Sequence, residues 1–328
     1  MCKVSVLVAV YNAEKYLSDC LDSMLNQTLR DIQVICVDDC STDSSLSILQ
    51  KYSDTDGRIE VVSLEKNQGL AHARNVALQR AKGEYICMLD ADDWYSEDAF
   101  EKAVEILDED TETDCVLFRL MLAYKTKPNE EFKLKPFNKM SGEQAMKCSI
   151  SWDGIHGLYI VRAAIHKRYP YDETTRVYSD ENTSRIHFLK SKNVRACDGI
   201  YYYRQNENSV THKVNAGYFE HLKANESLLF SLKAENIDDE TRQQLIDKLW
   251  LSVVDCYYYA FSNRQELGED AYKTGMKEIR SMWKNVAKTM SVSKHISKKI
   301  GYMPLAFSWY VFKLQEEIYF RIRKLIKH

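Results

Sequence analysis

Tyr85-Ile86-Cys87-Met88-Leu89-Asp90-Ala91-Asp92-Asp93 decides how this chain is read: an apolar run with the character of a buried strand leads straight into three carboxylates within four positions. Carboxylates this close raise one another's pKa unless an opposite charge sits among them, and a hard divalent cation with oxygen ligands is the usual remedy. In an open α/β sheet the carboxyl ends of the strands are also where ligands bind. The stretch therefore predicts an α/β fold with a metal-assisted site at the end of one of its strands.

Outward from it, Val4 to Val10, Ile32 to Val37 and Ile59 to Val62 also read as strands. Leu17, Cys20, Leu21, Met24 and Leu25 recur at helical spacing after Asn12, a candidate N-cap, and Ser41 or Thr42 is placed to cap the segment carrying Leu46, Leu49 and Tyr52. A third helix is predicted from Leu70 to Ala81, with Gly83 as its stop. Strand, helix, strand at short intervals implies right-handed crossovers and a mainly parallel central sheet flanked by helices. This first part, 1–125, ends after the run Phe118 to Tyr124. A polar stretch with Pro128 and Pro136 follows, and Ser141-Gly142-Glu143-Gln144 has the pattern of a capping box opening a new helix in a second part, 126–215. From 216 to 328 the pattern is that of a helical C-terminal extension, without repeats.

Composition narrows the classes. The 328 residues are 45% hydrophobic, enough for a packed core. A net charge of −3 gives no general pull toward nucleic acid. Nine cysteines, none in a Cys-x-x-Cys pair, read as reduced thiols of a cytosolic protein and argue against zinc. Val4 to Tyr11 reads as a strand and not as a signal core, and no run approaches the roughly 18 apolar residues of a membrane span. The expectation is a soluble protein, peripheral to a membrane at most.

Four constellations carry chemistry. Val10-Tyr11-Asn12 ends the first strand, where backbone amides can face a ligand. Asp38 and Asp39 end the second, where a carboxylate can accept from a base N–H or a ribose hydroxyl. Asn67-Gln68-Gly69-Leu70-Ala71-His72-Ala73-Arg74-Asn75 is a glycine turn leading into a helix, with a guanidinium just over one turn in, able to meet a phosphate or stack on a base. The fourth is Asp90 to Asp93, more carboxylates than a helix cap needs, since Ser96-Glu97-Asp98 already serves the next helix.

Together these residues resemble the family 2 glycosyltransferases, nucleotide-sugar-dependent enzymes with a Rossmann-like GT-A fold. Val4 to Asn12 is similar to the family's opening strand, with Ala9 where proline is common; Val37 to Asp43 has Cys40 where glycine is usual; Asn67 to Asn75 is similar to a third motif, and Asp90-Ala91-Asp92 to the Asp-x-Asp signature. The likeness is strong over 1–125 and thinner to about 212. It implies an inverting hexosyl- or N-acetylhexosaminyltransferase that moves a sugar from a nucleoside diphosphate donor, a UDP-sugar first, to a hydroxyl of a glycan or lipid-linked glycan in surface polysaccharide assembly. Asp39 would bind the base with Arg74 near the nucleotide, Asp92 would be the principal ligand of Mn²⁺ or Mg²⁺, and Asp90 would meet the ribose or the metal.

The family's catalytic base is an aspartate beyond the metal motif, often in a Glu-Asp pair. Here the pair reads Asp180-Glu181, with Asp180 preferred and Glu181 the alternative. Trp152, His156 and Tyr159 would form an acceptor wall, and Arg204 and His212 would cover the diphosphate or add a metal ligand. Residues 294–328 hold eight Lys or Arg against two Glu, a charge of +6 interleaved with aromatic and aliphatic residues. That pattern fits a basic amphipathic helix on anionic lipid at the cytoplasmic face of the membrane, or equally a helix packed on the catalytic part with its basic side in water. Two other classes stay open at this stage: a nucleotide- or glycan-binding module without turnover, and a receiver-like signalling domain, whose acidic pair however belongs after the first strand. A nicotinamide enzyme is disfavoured, for no Gly-x-Gly-x-x-Gly follows the first strand.

Overall fold

A computed structural model describes residues 2–133, 137–150, 155–176, 178–205, 214–235, 237–287 and 308–326. The chain divides into two compact units, Met1–Glu207 and Asn208–His328.

The first unit opens with β1 (Val4–Val10), α1 (Leu17–Leu25), β2 (Ile32–Asp38), α2 (Ser45–Thr55), β3 (Ile59–Ser63), α3 (Leu70–Arg80) and β4 (Tyr85–Asp90). The four strands lie parallel in the order β3-β2-β1-β4. Val4, Val6, Val8 and Val10 of β1 pack into a core that includes Leu17, Cys20, Leu21 and Met24 of α1, while Leu7 turns to the other face with Ile35, Val37 and the alanines of α3. Burial on both faces is why these strands read as unbroken apolar runs. The expected caps do something else. Helix α1 starts at Leu17, and Asn12 takes a left-handed conformation with φ 50°. Its Oδ1 accepts from the Thr42 amide at 2.8 Å, and the Asn12 amide donates to Ser41 Oγ at 3.0 Å. The polar residues thus lace two strand-end loops together, and Asp43, two residues ahead of α2, accepts from the Ser45 amide at 2.9 Å.

The unit continues with β5 (Trp94–Tyr95), α4 (Ala99–Glu109), β6 (Thr113–Ala123), β7 (Glu130–Glu131), β8 (Lys139–Ser141), α5 (Gly142–Ile150), β9 (Tyr159–Arg162), α6 (Ala163–Arg168), α7 (Ser179–Lys190) and β10 (Asn193–Arg204). Strand β9 runs antiparallel between β4 and β6, so one sheet passes through both sides of residue 125. Strand β10 lies parallel to β6 and antiparallel to the two-residue β5, which it holds through Tyr201 and Tyr202. The capping box forms as its pattern predicts: the Ser141 amide donates to Gln144 Oε1 and the Gln144 amide to Ser141 Oγ. Gly142 stands where any Cβ would collide with the carbonyls of Phe188 and Ser191 at the end of α7.

The second unit is helical: a 3₁₀ turn at Ala216–Phe219, then α8 (Glu220–Ser231), α9 (Asp239–Ser262), α10 (Arg264–Ala287, interrupted at Gly268 with φ 73°) and α11 (Trp309–Ile326). Its core is aromatic, with Trp250 and Tyr257 of α9 and Trp283 of α10 set against Trp309, Phe312 and Phe320 of α11. Among the described helices, none is long and apolar enough to cross a membrane. Between Phe312 and Phe320 the same buried face of α11 carries Glu316, fully shielded, with Oε2 unpartnered. Burial pushes its pKa up from 4.5 to about 8. The folded chain then holds a proton that the unfolded chain releases, so stability falls as pH rises through that window, by up to roughly 1.4 kcal/mol per pH unit. Urea midpoints of the full chain measured between pH 5 and pH 8 should fall with pH, and Glu316→Gln should flatten the dependence.

Candidate active site

The carboxyl ends of β1, β2 and β4 come level, with Val10 beside Asp38 and Ala9 beside Asp90. Tyr11 projects there, half exposed. Asp38 is buried; its Oδ2 accepts from the Ser41 amide at 3.2 Å and its Oδ1 has no partner. Asp39 is buried too, and its carboxylate accepts from the Gln68 and Gly69 amides at 2.7 and 2.8 Å. It therefore fixes the glycine turn that starts α3, where Gly69 has φ 92°. Three other residues in the described structure have positive φ although they are not glycine: Asn12, Cys40 and Tyr178. All three stand next to, or within two residues of, the candidate residues Tyr11, Asp39 and Asp180. Backbone strain of this kind is held by its surroundings, and it gathers at functional sites.

Helix α3 delivers Arg74 into the interior, fully buried. One guanidinium nitrogen is hydrogen-bonded to Asp90 Oδ1. The other terminal nitrogen lies 3.9 Å from Asp180 Oδ2, and the group rests over the Tyr171 ring. Burial alone would disfavour the charge, but Asp90 and Asp180 outweigh it and hold the arginine protonated. Asp180 sits in the first turn of α7. Its side chain is 41% open to solvent and otherwise desolvated by the surrounding protein. That desolvation raises its pKa, Arg74 works against the rise, and Asp90 and Glu181 add to it. Glu181 is drawn aside into an ion pair with Arg185 at 2.8 Å.

The three carboxylates of the opening stretch separate by environment. Asp93 is fully buried and belongs to β10: its Oδ2 accepts from Tyr201 Oη at 2.7 Å and its Oδ1 from the Arg204 amide at 2.7 Å. Tyr201 Oη in turn accepts from the Asp90 amide at 3.3 Å. Burial, Asp90 and Asp92 push Asp93 up to about 8, against these hydrogen bonds. Asp92 reaches solvent, and its pKa is raised by burial and by Asp90, with Arg204 opposing. Arg204 Nε donates to the Asp92 carbonyl at 2.7 Å, Nη2 pairs with Asp19 at 2.9 Å, and the guanidinium lies between the rings of Tyr16 and Trp94.

Asp90, Asp180 and Arg74 thus form one cluster, and Asp92 with Arg204 the adjoining one. His156 is turned to other work: its Nδ1 accepts from the Leu158 amide, Nε2 is buried, and burial lowers its pKa to about 4. Tyr159 is buried and shares a 2.7 Å hydrogen bond with His187 Nδ1, so it belongs to the core. Trp152 and His212 lie outside the described residues. Sequence reasoning missed Tyr201, Tyr171 and Tyr16; only the alternation within Tyr201-Tyr202-Tyr203 hints at which tyrosine turns inward.

The family model described as glycosyl transferase family 2 matches residues 5–169. The chain belongs to that family. Family 2 membership removes the receiver-like alternative, and the mixed sheet flanked by helices is the GT-A fold expected of it. The chain is 30% identical over 261 residues to a putative glycosyltransferase, EpsH, of Bacillus subtilis, covering 74% of this chain and 72% of that protein. It is 48% identical over 104 residues to a putative teichuronic acid biosynthesis glycosyltransferase, TuaG, of Bacillus subtilis; the match covers 32% of this chain and only 41% of that relative's length. Among solved structures, S. aureus TarS 1–349 in complex with UDP-GlcNAc superposes with a TM-score of 0.72 at 18% identity, covering 97% of this chain and 91% of that one. At that identity the likeness speaks for the fold.

Among the described residues no preformed group of three or more His, Cys, Asp or Glu could enclose a metal ion. A divalent cation that keeps waters and takes phosphate oxygens needs only one or two carboxylates, and Asp92 with the free oxygen of Asp90 meets that requirement. Tyr201→Phe should leave Asp93 buried with one donor fewer and lower stability by about 1–3 kcal/mol in chemical denaturation.

Proposed function

We propose that this glycosyltransferase moves a hexosyl or N-acetylhexosaminyl group from a UDP-sugar to a hydroxyl of a glycan or lipid-linked glycan, with inversion, in assembly of a surface polysaccharide. The observation that carries the reading is the Arg74 bridge. A single buried guanidinium links Asp90, the first residue of the Asp-x-Asp motif, to Asp180, a candidate base whose side chain is 41% open to solvent. The UDP-GlcNAc complex of TarS and the teichuronic acid assignment of TuaG favour the donor class and the setting. The corresponding location is the cytoplasmic face of a membrane, where lipid-linked acceptors are presented.

In this reading Tyr11, Asn12, Asp38 and Asp39 border the nucleoside, with the unpartnered Asp38 Oδ1 an acceptor for a base N–H. Asp92 and Asp90 would hold Mn²⁺ or Mg²⁺, which offsets the charge that develops on the leaving diphosphate. Asp180 accepts the acceptor hydroxyl's proton as that oxygen bonds to the anomeric carbon and the bond to the diphosphate oxygen breaks on the opposite side. Burial raises its pKa, which makes it a better base than an ordinary aspartate, and Arg74 opposes that rise. Glu181, held by Arg185, orients the start of α7 and takes no proton.

Calorimetric titration of UDP, GDP and dTDP with and without Mn²⁺ should give metal-dependent binding of UDP, weakened roughly 10- to 100-fold in Asp92→Asn. No nucleotide binding under any condition would overturn the donor assignment. Asp180→Asn should lower kcat by roughly 10²- to 10⁴-fold while donor affinity holds, and Glu181→Gln should have a much smaller effect. Near-normal turnover in Asp180→Asn would remove the base, and tight donor binding by the wild type without transfer to any acceptor would favour a binding module.

A further inference from the structure

Helix α11 has two apolar faces, and its own unit covers only one. Phe312 and Phe320 are buried against α9, and Trp309 packs on Trp283 of α10. On the other side Tyr310, Val311, Leu314, Ile318, Ile322 and Leu325 are between 42% and 79% exposed. From Val311 onward they recur at three- and four-residue steps, so they line one continuous stripe along about 21 Å of helix. Only four other large apolar side chains among the described residues are exposed, Tyr11, Phe132, Tyr203 and Phe230, and they are far apart in sequence. Scattered single apolar residues are ordinary on a protein surface; a full-length stripe is not.

Charge says what covers it. Arg321 follows Ile318 by three positions and Leu314 by seven, which sets an exposed cation within the stripe, whereas Lys313 pairs with Glu317 and Arg323 rests over the Tyr258 ring of α9, both on the side turned toward the unit's core. The helix's two acids are not available beside Arg321: Glu316 is fully buried, and Glu317 accepts from Tyr257 Oη at 2.7 Å and pairs with Lys313 at 3.7 Å. A second copy laid on the stripe would bring cation against cation with no carboxylate to answer it. In sequence, residues 294–328 carry +6 in a chain whose net charge is −3, so this part of the chain is basic against an acidic whole.

We infer that the exposed stripe of α11 seats this protein on an anionic lipid surface, the apolar side chains lying among the acyl chains just below the headgroups and Arg321 meeting lipid phosphates. An amphipathic helix of this kind lies in the plane of the interface and does not cross it. Each basic residue near a negatively charged membrane contributes about a fivefold gain in partition, which salt removes. The inference rests on the surface alone and does not need the proposed reaction, since the stripe belongs to a different unit from the carboxylate site.

Co-sedimentation of the full chain tests it with two vesicle preparations, phosphatidylcholine alone and phosphatidylcholine with about one third phosphatidylglycerol. The wild type should partition onto the anionic vesicles at least about tenfold more than onto the neutral ones, and high salt should reduce the difference. The double variant Leu314→Glu, Ile318→Glu should lose about tenfold or more of that partition, and Arg321→Glu a smaller part, with circular dichroism and urea midpoint held as the check on folding. Equal sedimentation of wild type and double variant overturns the inference. So does a wild type that ignores both vesicle types, and if it is then dimeric in sedimentation velocity while the double variant is monomeric, the stripe is a contact between copies. Neither donor nor acceptor is present, so the result is independent of whether the transfer reaction is as proposed.

Discussion

A buried guanidinium sets the terms for the catalytic unit. Arg74 is wholly out of water, and an uncompensated charge there would cost several kcal/mol. Its compensation comes from both sides of the cleft, from Asp90 at the end of β4 and from Asp180 at the start of α7, segments 90 residues apart in the chain. Docking of α3 on the sheet, the direction of the Asp90 carboxylate and the position of α7 are therefore one problem with one electrostatic solution. Removing either acid would leave the arginine short of a partner and also alter the group on the opposite side.

Around that bridge the acids divide by how they are solvated. Asp39 and Asp93 are committed to the protein's own donors, Asp39 to the amides of the glycine turn and Asp93 to Tyr201 and the Arg204 amide. Asp92 and Asp180 keep open faces. Identical side chains thus act as struts in two places and keep open faces in two others. The left-handed residues Asn12, Cys40 and Tyr178 mark where the backbone is bent to achieve this division, with Cys40 tolerated at a turn where a glycine would fit without strain.

The repeating half of the fold was open to sequence reading because its strands are buried on both faces and its helices bury one stripe: β1 to β4 and α1 to α3 appear where apolar runs and helical spacing put them. The capping box at Ser141 was equally legible, being a local pattern. Strand β9 was not. Tyr159-Ile160-Val161-Arg162 is four residues long, and nothing local says that it will enter the sheet antiparallel between β4 and β6. The loop residues Asn12, Ser41 and Thr42 carry cap chemistry but spend it on each other. At the site the types of residue were legible and their division of labour was not. Which of three neighbouring aspartates is shielded depends on Tyr201, and a tyrosine in a row of three gives only an alternation of faces.

Asp93 has a consequence for modularity. The braces on the Asp90–Asp93 segment come from Tyr201 and Arg204, 108 and 111 residues beyond Asp93, in a strand that enters the sheet between β6 and β5. The parts before and after residue 125 therefore cannot be exchanged as cassettes with a relative's: a swap at the polar stretch there would part the carboxylates from the strand that holds them. Recombination that respects this architecture would have to carry β10 along with β4, so the acidic segment after β4 and the last strand of the sheet are expected to be inherited together.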